Sequence, residues 1–440
     1  MLKSLRRSLL PFVAALTLPA VAFANGPAPA DPKPLEAPEL GRTGKFAVGT
    51  STRELSLPVR TTLTPAGPAQ AERNVGLRFW YPATAAGSTA ATYRHTLNMA
   101  DKSSFDIAQK GMAFEGAAAA KGKFPVVVIS HGFNGWSEQL SRLGEHLASR
   151  GYVVVAIDHR DMAFDSVPGF FLSFGKVLID RALDQRQVIG KLADPTFAKS
   201  EPALVSADAS NLGLIGYSMG GYGALGASGA AYDPAGKPFA ALPGPAKTQA
   251  TAADAKVAAM IDAVVLFAPW GGQPDNRAWS ADGVAALNKP VLFIAGDQDD
   301  IVNFKGGVRW LFDSATASDR YLLTYREARH NVVGDVFDLG ENPSSEINGY
   351  VREPVWRQDR VNQINQHFVT AFLDSTLKAD ASKRKYLDVP TPVASDGKWP
   401  SAFGQRDEGA LAGDAQPEYW RGFQRRWAVG LELHHKSSGQ

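Results

Sequence analysis

The chain has 440 residues with 46 basic and 44 acidic side chains, a formal charge of +2, and no cysteine. Such a balance leaves no excess positive charge for phosphate backbones or anionic lipid, and the missing thiols exclude disulfides, thiolate metal sites and a cysteine nucleophile. Hydrophobic residues make up 45%, which fills a substantial core in one or two domains.

Residues 1–24 read as a cleaved secretory signal. MLKSLRR is a basic start, SLLPFVAALTLPAV is apolar but broken by Pro11 and Pro19, and Ala22-Phe23-Ala24 has the small-x-small form of a cleavage site. The two prolines argue against a spanning helix, which wants about 20 apolar residues. Losing Lys3, Arg6 and Arg7 takes the formal charge to −1. The mature protein is expected in the periplasm or the medium, with no nucleic-acid partner and no stable membrane insertion. Residues 25–43, rich in Pro and Ala, read as an extended tether.

Residues 44–60 and 74–82 have the composition of an antiparallel strand pair. From Phe124 the pattern changes: FPVVVIS, YVVVAID, LGLIGYS, AVVLFAP, PVLFIAGD and YLLTYRE alternate with helical segments at 136–150, 174–193, 219–229 and 356–378. Continuous Val/Ile runs fit strands buried on both faces, and the alternation with helices implies parallel order with right-handed crossovers. Trp136, Leu140, Leu143 and Leu147 form one helical stripe. A doubly wound α/β domain is thus expected over residues 44–380, its mostly parallel sheet opened by antiparallel N-terminal strands. Residues 230–260 and 331–355 break the regularity and read as solvated insertions or rim loops. In the extension 381–440, RWAVGLEL alternates as one added strand would, packed on the domain.

The chemistry concentrates at Gly216-Tyr217-Ser218-Met219-Gly220, between an apolar strand and a helix of small residues. A serine on so sharp a turn needs small neighbours, and its hydroxyl projects at the C-terminal edge of the sheet. That hydroxyl becomes nucleophilic only when a base takes its proton. Of the eight histidines, His330 is the one that directly follows the last parallel strand, after YLLTYREAR. His95, His131, His146 and His159 precede the serine, His367 reads as a helix-flank residue, and His434 and His435 stand in a frayed end. The acid must come from a strand end; Asp297, Asp299 and Asp300 share one, and spacing leans only slightly towards Asp299 over Asp297. An oxyanion needs two backbone N–H donors, for which Met219 follows the nucleophile and Phe133 follows Ser130-His131-Gly132. His131 has no partner at ligand spacing, and no H-E-x-x-H occurs. Gly221-x-Gly223-x-x-Gly226 matches a dinucleotide fingerprint literally, but its glycines fall inside the helix rather than in the turn, where close packing explains them better.

These residues resemble the α/β-hydrolase superfamily, and more narrowly the bacterial dienelactone-hydrolase-like and platelet-activating-factor acetylhydrolase-like esterases. The resemblance runs through FPVVVISHGFNGWSEQLSRLGEHLASRGYVVVAIDHRD, IGYSMGG and RHNVVGDVFDL. It implies Ser218 as nucleophile, His330 as base, the Phe133 N–H as oxyanion donor and, through the dienelactone and polyester-hydrolase pattern of GDQDDIV, Asp299 as the acid. Ala268-Pro269-Trp270 is similar to secreted polyester hydrolases, which implies Trp270 as a wall of the acyl site; core or rim packing explains that tryptophan equally well. The expected function is a secreted serine carboxylester hydrolase without metal or organic cofactor, acting on a small or polymeric ester. A polyester or lactone hydrolase and a non-catalytic binding protein on the same fold are the alternatives; a peptidase lacks support, because no propeller or acidic amine-binding pair is visible.

Overall fold

Six apolar runs form the centre of the sheet because nothing in them asks for water. The computed structural model describes residues 24–26, 37–85, 89–99, 104–340, 343–400 and 409–440, so the segment expected to be a secretory leader lies, but for Ala24, outside the described residues. In chain order the strands are β1 (Ala24–Gly26), β2 (Ala47–Thr64), β3 (Gly67–Ala83), β4 (Ala90–Asn98), β5 (Ser104–Glu115), β6 (Phe124–Ser130), β7 (Val153–Asp158), β8 (Ala207–Tyr217), β9 (Ala263–Phe267), β10 (Val291–Gly296), β11 (Arg320–Tyr325) and β12 (Leu431–Lys436). They make one sheet in the order β1-β5-β2-β3-β7-β6-β8-β9-β10-β11-β12, with β4 paired to β5. Strands β7, β6, β8, β9, β10 and β11 are parallel neighbours. The β2–β3 hairpin joins them antiparallel through β3 and β7, and β12 closes the other side antiparallel to β11. This is the expected α/β-hydrolase architecture.

The helices that matter for the site are α1 (Ser141–Ser149), α2 (Val167–Leu192), α3 (Met219–Ala227), α4 (Ser345–Val351) and α5 (Gln358–Thr376). Helix α2 starts seven residues earlier than its apolar period indicates. Ser166 caps it by accepting the Gly169 N–H, and Pro168 sits in its first turn, where a missing N–H costs nothing. Within the expected 136–150 helix, residues 137–140 are a tighter 3-10 turn. Trp136 leaves the stripe formed by Leu140, Leu143 and Leu147: it joins a separate cluster with Leu97, Ile107 and Phe337, and His95 stacks on it at 4.4 Å.

Three segments depart from expectation in the same direction, towards packing. The end of the tether is already part of the domain, since Ala37 and Leu40 are buried and the Leu40 N–H donates to His367 Nδ1. Residues 230–260 are not simply solvated: Phe239, Leu242, Ala246, Ala250 and Val257 are buried in the main core. His434 and His435 are not in a frayed end but in β12, opposite Leu322 and Tyr321. Only the LEL half of RWAVGLEL belongs to that strand. The rest of the extension lays Trp420 and Phe423 against Phe368 of α5, at 5.9 and 5.8 Å between ring centroids, so it covers the outer face of that helix. His367 lies inside this aromatic layer, fully buried rather than on a flank.

Candidate active site

The turns after β6, β8, β10 and β11 open on one edge of the sheet, where doubly wound folds bind ligands. The turn after β8 carries Ser218 at φ 52° and ψ −113°, a left-handed conformation that costs a non-glycine residue about 1–3 kcal/mol. Its flanking glycines are required by contact. A Cβ on Gly216 would stand 2.3 Å from the Gly220 carbonyl oxygen, and one on Gly220 would stand 2.1 Å from the Ser130 carbonyl oxygen. The further glycines of the literal dinucleotide motif are packing positions, as expected: a Cβ on Gly223 would meet Arg181 and Gln185, and one on Gly226 would meet Tyr232.

Ser218 Oγ lies 3.0 Å from His330 Nε2, and His330 Nδ1 lies 2.7 Å from Asp299 Oδ2. A buried carboxylate can only accept here, so Nδ1 carries the proton and Nε2 is free to accept the serine O–H. Asp299 is itself fixed, its Oδ1 receiving the Ile301 and Val302 N–H groups at 3.0 and 3.1 Å. The two turns are joined by backbone: the Asp297 N–H donates to Tyr325 and the Gln298 N–H to Ala328. Gly296 is essential to that approach, because a Cβ there would lie 2.2 Å from the Ala328 carbonyl oxygen. Of the three aspartates that spacing left open, Asp297 accepts the Glu327 N–H and Asp300 pairs with Arg329 on the surface. Only Asp299 faces the imidazole.

Met219 is the first residue of α3, so its N–H has no intrahelical partner, and neither it nor the Phe133 N–H meets an acceptor among the described residues. Gly132, just before Phe133, lies directly across from the serine, since a Cβ built on it would stand 3.3 Å from Ser218 Cβ. Trp270 is brought to the same place by its backbone, whose N–H donates to the Ser218 carbonyl at 3.0 Å. Its ring is 7% exposed and packs edge-on against Phe174 and Tyr222, at 5.2 and 5.8 Å. On the outer side of His330 a cleft of about 640 Å³ opens, with Ile301, Asn331, Asn348 and Arg352 among its walls.

Two family models match this chain. Residues 51–167 match platelet-activating factor acetylhydrolase, isoform II, and residues 111–261 match the dienelactone hydrolase family. No curated protein matches the sequence. The chain has the α/β-hydrolase fold, and both matched families support an ester-cleaving enzyme.

The matched segments contain the Gly132-Phe133 loop and the Ser218 elbow but stop before Asp299 and His330. The association of those two with the serine is therefore read from geometry alone. Sequence reasoning missed Tyr350 on α4, whose hydroxyl donates to the carbonyls of Phe133 and Asn134 at 3.1 and 2.9 Å, and Asn331, whose Nδ2 donates to the Gly349 and Arg352 carbonyls. Both belong to the aperiodic stretch 331–355. The one signal there was its position, immediately after His330.

Proposed function

We propose that this hydrolase is an exported serine carboxylester hydrolase working through an acyl-enzyme. Ser218 Oγ attacks the ester carbonyl carbon while its proton passes to His330 Nε2. Asp299 holds the imidazole by Nδ1 and stabilises the cation that forms. The Phe133 and Met219 N–H groups receive the charge on the former carbonyl oxygen. Collapse of the tetrahedral species expels the alcohol, which takes the proton from His330. Water, deprotonated by the same nitrogen, then attacks the acyl carbon and releases the acid and Ser218.

The observation that carries this reading is the continuous string Asp299–His330–Ser218 at 2.7 and 3.0 Å, ending on a serine held at positive φ. Ser218→Ala is expected to lower turnover of p-nitrophenyl esters by roughly 10⁶-fold with the fold intact, because members of such a unit fail together. It should also abolish labelling by a fluorophosphonate probe, which only an activated serine attacks. Retained hydrolysis in that variant refutes the mechanism. Export rests on the leader, and N-terminal sequencing of the periplasmic fraction should begin at Asn25.

A further inference from the structure

The peptide unit between Gly132 and Phe133 is planar and trans, so its carbonyl and its N–H point in opposite directions. Whatever grips the Gly132 oxygen therefore aims the Phe133 N–H. Three donors grip it. His131 Nδ1 lies 2.7 Å away, the Gly135 N–H donates at 3.3 Å, and Arg181 Nη2 donates at 3.3 Å. His131 keeps the tautomer this requires, because its Nε2 accepts the His159 N–H at 3.0 Å.

Arg181 projects from α2 and is 1% exposed. Its Nη2 also donates to Asp161 Oδ2 at 2.6 Å, and the same carboxylate oxygen accepts the Asn134 N–H at 2.8 Å. The guanidinium thus ties both ends of the turn, Gly132 directly and Asn134 through Asp161, and Asn134 itself is held at φ 55°. Two other guanidinium nitrogens, Nε and Nη1, are buried without a hydrogen-bond partner. A side chain present for packing alone would avoid that cost, since an apolar residue of similar volume is often as stable as a buried ion pair.

We propose that Arg181, held by Asp161, is a positioning residue that aims the Phe133 amide at the oxyanion. It touches neither substrate nor the reacting atoms; it acts through the Gly132 carbonyl. Arg181 deepens the serine-esterase reading and rests on it. Loss of the clamp lets the peptide plane rotate, which weakens the N–H bond to the transition-state oxygen while leaving the Ser218–His330 contact in place.

The test compares an aryl ester with its thionoester, in which the developing charge sits on sulfur, a poor acceptor of hydrogen bonds. Removing an oxyanion donor outright costs ~10²–10³-fold in kcat. For Arg181→Met in the full-length protein, misaiming the donor is expected to lower ester kcat ~10- to 100-fold with KM little changed, and thionoester kcat only a few-fold. Arg181→Lys should recover part of the ester rate, and Asp161→Asn should show the same ester-selective loss in weaker form. Should Arg181→Met not fold, as judged by its thermal transition, the other two variants decide. Equal losses on both substrates, or wild-type ester turnover in the folded variants, overturn the proposal. Ser218→Ala separates the two ideas: if it stays active the esterase mechanism fails, whereas a dead Ser218→Ala beside an unselective Arg181 series removes the clamp alone.

Discussion

Among the described residues two Ser–His–Asp strings start from adjacent strands, and one of the two has the makings of an active site. Ser218, His330 and Asp299 are joined at 3.0 and 2.7 Å; Ser130, at the end of β6, His159 and Asp184 are joined at 2.8 and 2.8 Å. Bond lengths do not separate them. Ser218 stands on a strained turn beside two uncommitted amides, whereas Ser130 is the last residue of a regular strand and is 0% exposed. Asp184 already neutralises Arg60 and Arg73, each at 2.7 Å. Burial alone would raise its pKa, but Arg73 and His159 beside it hold the carboxyl far below the usual carboxylate range. Burial and then the Arg181 charge push His159 down to about 4. An imidazole held near 4 is a weak base at neutral pH, however well it is aligned. A relay becomes catalytic through the space and charge around it.

The sharpest way to break the comparison is to delete both histidines in turn. His330→Ala is expected to lower ester turnover by roughly 10⁶-fold at unchanged fold. His159→Gln should keep turnover within about tenfold and lose thermal stability instead. Comparable losses of turnover in both variants would mean that the buried relay takes part in the chemistry.

The aspartates extend the contrast. Asp299→Asn leaves the geometry but supplies the wrong partner for Nδ1–H, a change expected to lower kcat ~10⁴-fold, read in steady-state kinetics. Asp184→Asn takes from Arg73 its ion-pair partner and leaves Arg60 with Asp180 alone, and breaking a buried pair costs about 3–5 kcal/mol, read in urea unfolding. Should Asp184→Asn unfold at the wild-type denaturant midpoint, the buried network has no part in stability.

The central sheet and the exposed string were legible because each of their requirements writes itself locally. Two-sided burial gives FPVVVIS and YVVVAID, the strained elbow needs Gly216 and Gly220, and the turns after β10 and β11 carry Asp299 and His330. The buried string was not legible. Ser130, His159 and Asp184 come from a strand end, a loop and the middle of a helix, and their polar side chains meet only when α2 packs across β6 and β7. The same holds for Arg181, which in sequence looks like an ordinary charged residue of a long helix. The β4–β5 hairpin escaped because TYRHTLN and its partner strand carry few β-branched apolar residues; their stability comes from pairing and from the Trp136 cluster.

The smallest expected effect sharpens the comparison through pH. In the unfolded chain His159 titrates near 6.5, and in the folded protein it is depressed to about 4. Below pH 6.5 the unfolded chain binds a proton that the native state refuses, so the stability contributed by the neutral imidazole is present above 6.5 and lost as pH falls towards 4. The loss amounts to about 3 kcal/mol over that window. Asp335 and Glu145, raised by burial to about 6 and about 7, act with the opposite sign and lose stability as pH rises through those values. They are common to wild type and His159→Gln and cancel when the two are compared. Urea unfolding at pH 7 and pH 4.5 should therefore show the variant clearly less stable at pH 7 and the gap narrowing in acid. A constant gap would mean that folding does not depress the His159 pKa, and the distinction drawn between the two relays would lose its electrostatic basis.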